Sequence, residues 1–175
     1  VTAFFLAVRM DAKVVAVLGL VGGFLTPPLL STGVDKPLGL FTYVAILNVG
    51  LLAVAFHRRW DFLALLGAIG TVVMQLGWVV KFFAVEKVFI ALAVFVGFDL
   101  LFLVAFVAAE KLKHSNQYLS SSSILLPFVT LGFASYLLAY PVLGARPGTV
   151  FYFVFAADLC LLALVLLRHT LHQVH

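Results

Sequence analysis

An all-α, polytopic bundle of transmembrane helices is the fold class this sequence predicts, and three observations predict it. Of 175 residues, 65% are hydrophobic and only 10% are charged, far from the roughly half apolar and quarter charged of a soluble domain. The apolar residues are gathered into runs near the roughly 20 residues that a bilayer-spanning helix needs, and their total leaves room for about six spans. The runs lack period-2 alternation, which argues against a membrane barrel. With no water in the bilayer core, each run must satisfy its own backbone hydrogen bonds and is read as a helix. This composition excludes a soluble enzyme, a nucleic-acid-binding domain and a disordered chain.

In chain order the runs are Val14–Leu30, Leu38–Phe56, Phe62–Val80, Val88–Ala109, Ile124–Leu143 and Thr149–Leu167. Short polar separators divide them: Arg9–Lys13, Ser31–Pro37, His57–Asp61, Lys81–Lys87, Glu110–Ser123 and Gly144–Gly148. Residues 1–9 have no basic region before their apolar stretch, so they are not read as a signal peptide. They are expected to be the end of a preceding helix, and the chain a piece of a longer membrane protein. Lys and Arg are more numerous in the first, third and fifth separators and the tail than on the opposite side. The positive-inside rule therefore places that set, with the C-terminus, in the cytoplasm. Tyr43, Trp78, Tyr140 and Tyr152 gather near the other face, as an interfacial aromatic belt would. The net charge of +4 is read as orientation signal and headgroup contact, which makes membrane lipid an expected partner. The lone Cys160 cannot form an intrachain disulfide and is read as packing.

Comparing the chain with itself suggests a repeat. Ala16–Gly23 aligns with Ala64–Thr71 at a shift of 48, with four identities in eight. Phe41–Asn48 matches Phe151–Asp158 at a shift of 110, and a shift of 51 places Asp99 opposite Asn48. The expected units are three helical hairpins, over 12–61, 62–113 and 123–175.

The stretches Gly22-Gly-Phe-Leu-Thr-Pro27, Leu29-Leu-Ser-Thr-Gly33 and Leu40 to Trp60 resemble a bacterial membrane-protein family designated domain of unknown function 2339. The resemblance is strongest over residues 9–61, where the doubled Pro27-Pro28 departs from the single proline expected. It implies a bacterial inner-membrane location, a longer parent chain and contact with the rest of that chain or with other membrane subunits. It supplies no activity and no catalytic residues.

Three polar side chains stand at matching depth near the middle of their runs: Asn48, Asp99 and Asp158. An ionised Asp at the bilayer centre costs about 2.5–3.5 kcal/mol on insertion scales, and no Lys or Arg lies inside any run to offset it. Each carboxyl is therefore expected to be protonated, to face water, or to find a partner. One reading is a polar pathway for protons, cations or a solute. The other is an interhelical hydrogen bond worth about 0.6–2 kcal/mol. The second candidate is Gly22-Gly23 with Thr26-Pro27-Pro28, which leaves a first helix too short to cross. A broken helix frees backbone groups for an ion or substrate; an early stop at a proline turn is the plainer alternative. Ser120–Ser123 before Pro127 reads as helix-start chemistry. His169, His172 and His175 read as a solvated tail rather than a metal site, and no catalytic, cofactor or metal-binding motif is found. The expected function is a transporter or channel-like module with mid-membrane carboxyls; the alternative is an envelope scaffold without transport, and neither reading makes the chain an enzyme.

Overall fold

The computed structural model describes residues 2–30, 33–111, 117–141 and 148–173. Six α-helices make up these residues: α1 (Thr2–Leu29), α2 (Pro37–Arg58), α3 (Phe62–Phe82), α4 (Val88–Lys111), α5 (Gln117–Leu137) and α6 (Gly148–Gln173). A single 3-10 turn, Val85–Lys87, joins α3 to α4. Four helical segments, Pro37–Arg58, Phe62–Phe82, Val85–Lys111 and Gln117–Leu137, are long and apolar enough to cross a membrane. The apolar stretches described in α1 and α6 are shorter, Ala16–Leu29 and Val150–Ala163.

Local chemistry sets several boundaries. Pro37 opens α2 at a position where a missing N–H costs nothing. α2 closes on Arg59, a left-handed residue (φ 56°) whose N–H bonds to the Ala55 carbonyl. Trp60 N then returns to the same carbonyl at 3.1 Å, so only a few residues separate α2 from α3.

Two expectations about the first helix are corrected. Residues 2–9 are not a separate helix, because α1 runs unbroken from Thr2 through the polar Arg9–Lys13 stretch. Nor is it broken at Gly22-Gly23. It continues to Leu29, with Pro27 and Pro28 inside its final turn. A third expectation fails in α5, which begins at Gln117 and passes through Pro127. Ser122 and Ser123 are therefore interior residues, and their hydroxyls donate back to the carbonyls of Tyr118 and Ser120.

α5 sits centrally, packed against α3, α4 and α6, while α2 packs on α3 and α4 on α6. α1 lies more lightly on α2 and α3. The tightest pairings therefore include ones between the expected units, α2 with α3 and α4 with α5. The core is aromatic: Phe95 stacks on Phe133 at 4.5 Å between ring centres, and Phe153 meets Phe133 edge-on at 5.4 Å. α3 and α5 bury the same register offset by 59 positions, with Gly67, Thr71 and Met74 of α3 corresponding to Leu126, Thr130 and Phe133 of α5.

Candidate functional site

The polar residues expected at mid-membrane depth are not brought together into one site. Asn48 is fully buried between α2 and α3, where its Nδ2 donates to Thr71 Oγ1 at 2.7 Å and to the Val44 carbonyl at 3.0 Å. Thr71 in turn donates to the Gly67 carbonyl. Asp99 is buried between α4 and α5, and the Thr130 hydroxyl donates to its Oδ2 at 2.8 Å. That hydroxyl also lies 3.2 Å from the Leu126 carbonyl one turn back. The two pairs share one arrangement: an Asn or Asp on one helix meets a Thr on the next, whose Oγ1 lies within 3.2 Å of its own i−4 carbonyl.

Asp158 departs from this pattern. It stands exposed on the outside of α6, away from the Val150, Phe153, Ala157 and Cys160 stripe that packs inward. Asn48 and Asp99 are thus buried in separate helix interfaces while Asp158 faces outward, so the described helices do not bring the three side chains together. The sequence reading passed over Gln75, one turn along α3 from Thr71 and 1% exposed. Neither amide atom of Gln75 has a hydrogen-bond partner among the described residues, nor do Asn48 Oδ1 and Asp99 Oδ1. The signal for Gln75 was available, since it is the lone amide in the Phe62–Val80 run.

The second candidate fares differently. Pro27 has no N–H to give the Gly23 carbonyl, and that carbonyl accepts the Tyr43 hydroxyl from α2 at 3.0 Å. Thr26 Oγ1 donates to the Gly22 carbonyl at 2.7 Å. Thr26, Pro27 and Pro28 then form one wall of a cleft of about 610 Å³. Tyr43 and Leu40 of α2 and Met74, Gly77 and Trp78 of α3 line the rest. Its volume lies within the roughly 300–1,000 Å³ of small-molecule sites.

Charge is concentrated at the mouth of the cleft. Asp35 accepts from Trp78 Nε1 at 2.9 Å and forms an ion pair with Lys87. Lys87 also donates to the Phe82 carbonyl at 3.0 Å, so its ammonium caps the C-terminal end of α3. With Asp35 thus neutralised, the exposed Lys36 and Lys81 leave the rim positive. Lys81 Nζ sits 5.1 Å from the centre of the Phe82 ring. The site is an apolar slot with a cationic edge at one end of the bundle.

Among the described residues no group of three or more His, Cys, Asp or Glu could hold a metal ion. His175 and the side chains of His169 and His172 lie outside the described residues.

Long apolar helices that bury their polar groups against one another define a polytopic helical membrane protein. Among known families, the model described as Predicted membrane protein (DUF2339) matches residues 1–174, and the chain belongs to that family. Comparison with curated proteins and with solved structures returned no match.

Proposed function

We propose that this chain is a membrane-embedded scaffold module that holds an anionic amphiphile in the α1–α2–α3 cleft. The observation that carries this reading is the pairing of an apolar slot with two exposed lysines at its rim. An acyl chain against Pro27, Met74 and Trp78 would place a phosphate or carboxylate head beside Lys36 and Lys81. Trp78 and Tyr43 suit the interfacial depth at which such a head sits. A bacterial inner-membrane setting fits the same reading.

Binding of named lipids provides the test. The protein is equilibrated with phosphatidylglycerol and phosphatidylcholine, and retained lipid is counted by native mass spectrometry. Each Lys near a lipid surface is worth about 1 kcal/mol, so Lys36→Gln with Lys81→Gln is expected to weaken phosphatidylglycerol retention about 30-fold. Equal retention of both lipids by the unaltered protein would refute the reading.

A transport reading has its own support in the unpartnered buried atoms of Gln75 and Asp99, since buried polar groups carry a cost unless they are satisfied. Proton flux into vesicles that is lost with Asp99→Asn, but indifferent to the two lysine changes, would favour a conduit over a lipid site.

A further inference from the structure

The α2 face that meets α3 reappears on α6, where Val154 is partly packed against the core but no described helix covers the rest of the face. On α2 that face is Phe41, Val44, Asn48 and Leu52, all buried, with Asn48 bonded to Thr71. At a spacing of 110 residues stand Phe151, Val154, Asp158 and Leu162 of α6. Three of the four residue types are the same, and the fourth exchanges Asn for Asp. Yet Phe151 and Leu162 are 65% and 54% exposed, and Asp158 is exposed between them. Phe155 and Val165, at 64% and 60%, extend the row in alternating steps of three and four, the spacing of a helix-packing seam.

We infer that this face of α6 receives a further transmembrane helix carrying a Ser or Thr at mid-membrane depth, whose hydroxyl bonds to Asp158. The described helices make this contact twice, as Asn48 with Thr71 and as Asp99 with Thr130. In both the partner is the helix that follows the Asn or Asp helix, and in both the Thr Oγ1 lies beside its own i−4 carbonyl. Lipid is a poor occupant, because it offers mid-membrane Asp158 no donor or acceptor. α1 of a second copy does not fit either. The alignment that matches α1 to α3 places Gly23 where α3 has Thr71, so α1 has no hydroxyl at that position; its Thr26 stands three residues further on, near the helix end.

Photocrosslinking in the native membrane tests the inference. Benzoylphenylalanine replaces Leu162, one turn from Asp158 on the same face, and the crosslinked residue is identified by peptide mass spectrometry. The expected product joins position 162 to an apolar helix within one turn of a Ser or Thr. Its yield should fall roughly 3- to 30-fold with Asp158→Leu, the loss of one interhelical hydrogen bond, and persist with Asp158→Asn. No described hydrogen bond or ion pair involves Asp158, so these changes leave the six-helix packing in place, which a matched thermal unfolding curve verifies. Adducts to lipid alone, a product on any of the six helices of a second copy, a partner helix with no hydroxyl near the crosslink, or a yield indifferent to Asp158→Leu would each overturn it.

Discussion

Asp99 and Asp158 are the same residue type at the same expected depth, and their fates differ because of what stands beside them. Thr130 lies on a helix packed against Asp99, and no described helix covers Asp158. The sequence signalled that both carboxyls, with Asn48, need partners. It could not say which partner each would find, because Thr71 and Thr130 are unremarkable residues until helix packing places them opposite. Gly67 shows how close that packing is. A Cβ there would stand 2.8 Å from Asn48 Oδ1 and 3.4 Å from Leu51 Cδ1. The Asn48 amide is held by Thr71 and Val44, so it cannot swing away without losing those bonds. Gly67→Ala is therefore expected to destabilise the protein by about 1–3 kcal/mol. Gly50→Ala, whose Cβ meets nothing within 4 Å, should leave stability unchanged or slightly raised. Unfolding in detergent by a graded denaturant separates the two.

Within single helices, proline had more than one possible outcome. Pro27-Pro28 read as a possible break and Pro127 as a point shortly after a helix start, yet all three sit inside helices. Proline removes one N–H and displaces one carbonyl bond, a local cost that a neighbour can offset. Tyr43 does this for Gly23, and it lies on a different helix. Tyr43→Phe should consequently loosen α1 from α2, with a cost near 1 kcal/mol. The loss should register as faster exchange by added thiol of a disulfide between cysteines introduced at Gly23 and Leu47, which face each other. An unchanged exchange rate would mean that the Gly23 carbonyl is satisfied elsewhere. The serine run has the same lesson: hydroxyls can cap a helix start or bond back within its interior, and only the position of the preceding turn separates these uses.

Across the whole molecule, the alternation of polar separators anticipated which connections share a membrane face. Asp35 between α1 and α2 pairs with Lys87 between α3 and α4, and Phe83 meets Tyr140 beyond α5 at 5.7 Å. Three connections therefore meet at one end. The Asp35–Lys87 pair ties two of them together while its members remain partly shielded, at 16% and 32% exposure. A double-mutant cycle of Asp35→Asn and Lys87→Gln should give a coupling of about 1–2 kcal/mol. Thermal unfolding of the four proteins measures it, and a coupling near zero would reduce the pair to an ordinary surface contact.

Helix number, an all-helical class and membrane residence were legible in the chain, because hydropathy and backbone hydrogen bonding are nearly local properties. The apolar runs match α2, α3 and α4 to within a few residues, whereas α1 begins twelve residues and α5 seven residues before its run; Asn48 and Asp99 marked where polar contacts fall. The merging of residues 2–9 into α1 and the sealing of Asn48 and Asp99 into separate interfaces depended on packing. So did the assembly of the cleft from Pro27, Tyr43, Met74 and Trp78. Each of those outcomes rests on which faces of different helices meet, and a face acquires its partner only when the bundle closes.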